Sequence, residues 1–289
     1  MNRARPIIIS AIPTPFDETE KPALGRLSEL LIQLREKTID AVFIAGTTGE
    51  FTALDDEERL DAFRVALGVF GPDRVFAHVG AASAYQAERL ARRARDIGAL
   101  HLAAVTPFFQ PAPPDQIVEY YRRIVEAGEG ARVYAYLFRQ RTTTFAPPTI
   151  LERLAEVGVA GVKISGETDS SVDGYLQNAP EHFAVYSGND VSLRWLVGRG
   201  GKGVVSGVSS AYPEPFVRLR DALIANDADA IATAERIVQR AVAAVRGGSV
   251  SHLKAAISAR GIPFGGVRTA TESVPASDER ELFELALRV

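Results

Sequence analysis

Short apolar runs rich in β-branched residues recur along the chain at 7–9, 41–45, 75–79, 100–105, 133–138, 160–164, 183–186 and 203–206. Most intervals between them carry apolar positions at helical spacing, as at 57–67, 85–97, 115–127 and 148–157. Continuous apolar strands alternating with amphipathic helices predict a parallel sheet covered by helices. Eight such units fit a closed (β/α)8 TIM barrel better than an open doubly wound sheet, which seldom needs eight similar repeats. Beyond Pro213 the pattern turns helical, over 216–245, 252–260 and 277–288, with breaks at Gly247-Gly248 and Gly261-Ile262-Pro263. The expected organisation is a barrel over 1–223 and a C-terminal helical extension over 224–289. Asp55 followed three residues later by Glu58 predicts a capping box, with acid at the positive end of a helix dipole. Those acids are read as structural.

Composition narrows the function classes. A chain of 289 residues can bury the core of one α/β barrel. Its 33 basic and 36 acidic residues are mixed along the sequence, so no basic stripe is available for nucleic acid or an anionic membrane surface. Small molecules, or further copies of the chain, are the expected partners. The absence of cysteine excludes disulfides, thiolate nucleophiles and sulfur-based zinc sites, and is compatible with a cytoplasmic enzyme. The basic start precedes only a short apolar run without a small-residue cleavage site, so it reads as the first strand. No apolar run approaches the ~20 residues that span a bilayer. His78, His101, His182 and His252 lie in separate segments without the spacing of metal ligands, and no metal site is expected.

The most informative residue is Lys163, an ammonium within Ala-Gly-Val-Lys-Ile-Ser, in a run that reads as a buried parallel strand. Burying a lysine penalises its charged form and leaves a fraction of neutral, nucleophilic amine, as a Schiff-base lysine requires. A snorkelling or ion-paired lysine at a strand end is the alternative. Period-2 alternation puts Gly161, Lys163 and Ser165 on one face of the strand and Val162 and Ile164 on the other. In a (β/α)8 barrel, reactive groups sit at the C-terminal ends of strands and in the loops after them. There lie Gly46-Thr47-Thr48-Gly49-Glu50, able to hold a carboxylate or to form only a tight turn. Tyr136 can serve as general acid and base or as a core tyrosine. Arg141 can grip a substrate carboxylate or form a surface ion pair.

Gly46-Thr47-Thr48-Gly49-Glu50, Val105-Thr106-Pro107, Tyr136, Arg141-Thr142, Gly161-Val162-Lys163, Ser187-Gly188-Asn189-Asp190 and Gly203-Val204-Val205-Ser206 follow one another in an order and spacing that covers nearly the whole chain. In this the chain resembles the dihydrodipicolinate synthase and N-acetylneuraminate lyase family. The resemblance implies a barrel, usually a homotetramer, that condenses the Lys163 amine with the ketone of pyruvate or another 2-oxo acid. Thr47 and Thr48 would bind the 2-oxo acid carboxylate beside Gly46, Tyr136 and Thr47 would relay protons, and the Val205 main-chain carbonyl and Gly188 would face the substrate. It implies no metal and no organic cofactor, and an aldehyde as the second small-molecule partner. A tetramer and a dimer both remain open.

Several positions depart from the family pattern. After the strand-4 Thr-Pro, relatives commonly place a tyrosine whose hydroxyl enters a neighbouring subunit's proton relay, whereas this chain has Phe108-Phe109. The family's Tyr-Asn-x-Pro reads Tyr136-Leu137-Phe138-Arg139, Ile164 replaces an acid, and Ser210 replaces a common asparagine. These changes bear on the substrate more than on imine formation. The favoured expectation is a class I aldolase or lyase for a 2-keto-3-deoxy sugar acid or a similar 2-oxo acid. Arg141 argues partly for the alternative, 4-hydroxy-tetrahydrodipicolinate synthase acting on pyruvate and aspartate semialdehyde. A keto-deoxy sugar-acid dehydratase follows, and a non-catalytic 2-oxo acid-binding barrel is the competing class. Arg139 is an extra cation suited to a second acidic group on the substrate.

Overall fold

A computed structural model describes residues 5–286. Eight parallel strands close into a barrel in sequence order: β1 (Ile7–Ala11), β2 (Ala41–Ile44), β3 (Val75–His78), β4 (His101–Val105), β5 (Arg132–Leu137), β6 (Val159–Ile164), β7 (Ala184–Ser187) and β8 (Gly203–Ser206). Each coincides, within two residues at either end, with an apolar run of the sequence, because strands covered on both faces must be apolar on both faces. Helices separate successive strands, as the periodicity predicts. The capping box is present: the Asp55 carboxylate accepts from the Glu58 N–H at 2.8 Å, and Glu58 accepts from the Asp55 N–H at 3.1 Å.

Among the described residues the chain packs as two compact units, one comprising 72–205 and the other 5–71 with 206–286. In the first, β5 and β6 pair Tyr136 with Lys163, and β6 and β7 pair Gly161 with Ala184. An aromatic cluster of Phe76, His101, Tyr134 and Tyr186 fills its interior, with Phe76 5.0 Å from both His101 and Tyr134. In the second unit, β1 and β2 are covered by the helices Leu24–Glu36 and Asp56–Phe70, which bury Leu27, Leu31, Leu60 and Phe63.

The C-terminal region differs from the sequence expectation at one point. The helical pattern over 216–245 is two helices, Pro213–Ala225 and Ala228–Ala244. Asn226 takes a left-handed conformation (φ 54°), and Asp227 caps the second helix by accepting from the Ala230 N–H at 3.0 Å. Asparagine tolerates that backbone region and aspartate prefers the N-cap, so two adjacent polar residues end one helix and start the next. The last helix is Ala276–Ala286, and Arg288, the expected end, lies outside the described residues.

Two consequences are measurable. Burial first, and the Arg132 charge second, hold His101 below the ordinary histidine range. The unfolded chain therefore binds this proton before the folded chain does, and stability falls as pH drops through the unfolded value of ~6.5 toward the folded one. Chemical denaturation between pH 7.5 and 5.5 is expected to show this loss, at most ~1.4 kcal/mol per pH unit, and His101→Phe should flatten that component. Gly161 has no room for a side chain, since a Cβ there would lie 2.4 Å from the Ala184 carbonyl oxygen. Gly161→Ala is expected to cost about 1–3 kcal/mol in urea unfolding by forcing β6 from β7.

Candidate active site

The β5–β6 pairing sets the central geometry. Lys163 is 8% exposed and Tyr136 2%, and the ammonium lies 4.0 Å from the centre of the Tyr136 ring. A cation over an aromatic face gains electrostatic attraction, on the order of 0.5–2 kcal/mol, that offsets part of its lost hydration. The sequence treats these as a phenol and an amine at neighbouring strand ends. The structure adds that the ring face is the group against the amine.

Tyr136 is fixed from several directions. Tyr121, on the helix Pro114–Ala127, is fully buried; its hydroxyl accepts from the Tyr136 N–H at 3.3 Å and donates to the Ala104 carbonyl at 2.8 Å. Burial drives that phenol well above the ordinary tyrosine range, so it stays a neutral hydroxyl able to do both. The Thr106 N–H donates to the Tyr136 carbonyl at 3.0 Å. The His78 ring meets Tyr136 edge-on at 6.2 Å, and its Nε2 accepts from the Val105 N–H at 3.1 Å, which leaves Nδ1 to carry the proton of the neutral ring.

Beyond β5 the chain forms a single helical turn, Arg139–Thr142. Thr142 anchors it: its hydroxyl accepts from Thr106 Oγ1 at 3.1 Å and donates to the Phe138 carbonyl at 3.1 Å. Arg139 and Arg141 are exposed, the first 4.8 Å over Phe145 and the second 5.9 Å over Phe138. Neither pairs with a carboxylate among the described residues, so both guanidinium groups keep their donors for a ligand. Gly188 follows β7, and a Cβ there would fall 1.9 Å from Ser165 Oγ, so glycine permits the close approach of the β6 and β7 ends. Val205 is buried in β8.

The other unit holds the Gly46–Glu50 turn after β2. Thr47 and Thr48 are half-buried, and the Thr48 side chain lies against Gly207, whose Cβ would meet Thr48 Oγ1 at 3.4 Å. The Thr48 hydroxyl makes no hydrogen bond to the protein among the described residues. Gly49 is required by space, because a Cβ would stand 2.9 Å from Ala45 Cα and 3.0 Å from the Ile12 carbonyl oxygen. The Gly49 carbonyl accepts from Thr14 Oγ1 at 2.7 Å. Glu50 closes the turn in a left-handed conformation (φ 57°, ψ 38°), and its buried carboxylate pairs with Lys254 at 2.6 Å.

Sequence reading passes over Lys254. It stands on the helix Val250–Ala259 between Leu253 and Ala255 and is 1% exposed. The available signal is the one that singled out Lys163, an ammonium on an apolar surface. No group of acidic or histidine side chains arranged to hold a metal ion occurs among the described residues, and none of the described helices is long and apolar enough to cross a membrane.

The chain is similar to known proteins in sequence and fold. The chain matches the Dihydrodipicolinate synthetase family over residues 6–286. It is 32% identical to 4-hydroxy-tetrahydrodipicolinate synthase of Methylococcus capsulatus over 237 residues, 80% of this chain and 79% of that one. It is 26% identical to N-acetylneuraminate lyase of Rhizobium meliloti, over 96% of this chain and 93% of that one. Among solved structures, a variant of Sulfolobus solfataricus 2-keto-3-deoxygluconate aldolase superposes with a TM-score of 0.87 at 25% identity, covering 98% of this chain and 96% of that one. With a closed eight-stranded barrel and a family match over nearly its whole length, the chain belongs to the dihydrodipicolinate synthetase family of pyruvate-dependent class I lyases and aldolases.

Proposed function

We propose that Lys163 is the Schiff-base nucleophile of a lyase that cleaves a 2-keto-3-deoxy sugar acid, or a similar 2-oxo acid, to pyruvate and an aldehyde, or joins the two. The observation that carries this reading is the buried Lys163 ammonium held over the Tyr136 ring. Burying an ammonium forfeits hydration, a cost that a packing role alone does not explain. Its neutral amine attacks the ketone carbon, and loss of water from the carbinolamine leaves an imine. Protonated, the imine accepts the electron pair of the breaking carbon–carbon bond, which gives an enamine and releases the aldehyde. Proton addition to the enamine carbon and hydrolysis of the imine then free pyruvate and Lys163.

In this reading Thr47 and Thr48 take the 2-oxo acid carboxylate beside Gly46, supported by the unpartnered Thr48 hydroxyl. Tyr136 relays protons with Thr47, since Phe109 has no hydroxyl to contribute. Gly188 and the Val205 carbonyl border the substrate. No metal or organic cofactor takes part. Phe109, 85% exposed at φ 74°, supports a contact between copies in a cytoplasmic homo-oligomer, a dimer or a tetramer.

The unpaired Arg141 favours a second reading, 4-hydroxy-tetrahydrodipicolinate synthase, in which the guanidinium holds the carboxylate of aspartate semialdehyde. Arg139, equally unpaired, favours an anionic group at the far end of either substrate.

Pyruvate followed by borohydride is expected to add one reduced pyruvyl group, mapped to Lys163 by peptide mass and absent in Lys163→Ala. A folded protein that forms no adduct would refute the reading. Arg139→Ala is expected to raise KM for a substrate with a distal anionic group about tenfold, which corresponds to ~1.4 kcal/mol, and to leave KM for a neutral aldehyde acceptor unchanged. Equal effects on both in steady-state assays would remove Arg139 from recognition.

A further inference from the structure

The Glu50–Lys254 pair lies outside the proposed chemistry, yet one of its members ends the turn that carries Thr47 and Thr48. Both side chains are 1% exposed. Lys254 Nζ stands 2.6 Å from Glu50 Oε1, donates to the Gly266 carbonyl at 2.6 Å, and lies 4.2 Å over the Phe16 ring. Glu50 Oε2 accepts from the Arg268 N–H at 2.8 Å, the Thr269 N–H at 2.9 Å and Thr269 Oγ1 at 2.9 Å. The carboxylate is thus held by three hydrogen bonds on Oε2 and one ion pair on Oε1, all from 254–269, more than 200 residues along the chain.

The same segment is tied down at a second point. Arg268 lies 4.4 Å over Phe16, grips the capping-box residue Glu58 with two bonds of 2.6 and 2.7 Å, and donates to the Ala53 carbonyl at 2.9 Å. The Phe16 N–H donates to the Phe264 carbonyl at 3.2 Å. Residues 264–269 therefore brace both ends of the stretch 50–58.

Stability alone does not account for such a pair. A buried ion pair is often no more stabilising than apolar side chains of the same volume, because both charges forfeit hydration. Its distinct property is direction. Three hydrogen bonds and an ion pair on one carboxylate fix the Glu50 side chain, and through it a left-handed backbone that a glutamate adopts only at some cost. That backbone is coupled to the threonines: the Glu50 N–H donates to the Thr47 carbonyl at 3.1 Å, and the Phe51 N–H to the Gly46 carbonyl at 3.2 Å. Rotation at Glu50 would turn the hydroxyls and N–H groups of the Thr47-Thr48 segment away from a bound carboxylate.

We propose that Lys254 is a positioning residue that acts through Glu50 to hold the Thr47-Thr48 turn in its carboxylate-binding geometry. This rests on the proposed role of that turn in 2-oxo acid binding. Its effect falls on pyruvate affinity rather than on the chemical competence of Lys163. Misplacement of a binding group by about 1 Å can cost up to ~100-fold.

The test is pyruvate-dependent borohydride trapping in wild type, Lys254→Met, Lys254→Arg, Thr48→Val and Lys254→Met/Thr48→Val, each with a thermal melt. The half-saturating pyruvate concentration is expected to rise about tenfold or more in Lys254→Met while the maximal trapping rate changes less than about threefold. Lys254→Arg should recover part of the affinity. The double variant should be little weaker than Thr48→Val alone, since both lesions act on one turn. An unchanged half-saturation in folded Lys254→Met, or fully additive effects in the cycle, overturns the proposal. If Lys254→Met does not fold, Thr269→Val removes one donor to Glu50 without stranding a charge, and the same rise in half-saturation, or its absence, decides. If wild type forms no adduct, the Schiff-base reading fails by itself. Amide hydrogen exchange over 47–50 then decides the positioning role, faster in the folded variant supporting it and unchanged exchange overturning it.

Discussion

A buried ammonium must find compensation, and this chain solves that problem twice by different means. The Lys163 ammonium lies over the Tyr136 ring, and Lys254 meets a carboxylate, a carbonyl oxygen and an aromatic face together. Burial pulls the Lys254 ammonium below the ordinary lysine range, and Glu50 opposes that pull and keeps the charge in place. An aromatic face offsets part of the hydration that a buried ammonium loses, and the Lys163 ammonium lies 4.0 Å from the centre of such a face.

The remaining architecture serves to keep those two environments rigid. Tyr136 is a register partner of Lys163, so the separation of amine and ring is set by the parallel ladder itself rather than by a loop. The Tyr121 hydroxyl, inserted between the Ala104 carbonyl and the Tyr136 N–H, adds a fixed point from the covering helix. In the other unit the clasp of 264–269 on Glu50 does equivalent work for a turn that has no ladder of its own. Groups on strands are held first by the ladder, and groups on turns rely on contacts from elsewhere in the chain.

What the sequence made legible follows from the range of the forces involved. The eight strands stand out because burial on both faces demands continuous apolar runs, a local property. Lys163 stands out for the same reason, as a charge within such a run. The break at Asn226-Asp227 is hidden because alanine-rich helices flank it and two polar residues on a helix surface are ordinary. Lys254 is passed over because its partner Glu50 lies some two hundred residues away, and its apolar neighbours alone do not say what the ammonium meets. The cation–π contact of Lys163 with Tyr136 was legible only as proximity of strand ends, since periodicity gives the face of a strand and not the rotamer that lays a ring beneath an amine.

Positions around the Lys163–Tyr136 pair fall on two sides of a physical division. Lys163 and Tyr136 sit within the ladder, where neighbours on both sides constrain them. Phe138, Arg139 and Arg141 lie at or beyond the end of β5, on a single helical turn anchored by Thr142. Exposed guanidinium groups stacked on Phe138 and Phe145 can change partner without disturbing the core, because such contacts are worth only about 0.5–1 kcal/mol. The exposed turn beyond β5 and the buried Lys163–Tyr136 pair are therefore separable parts of this barrel. A change at Arg139 or Arg141 leaves the amine and ring within the ladder undisturbed.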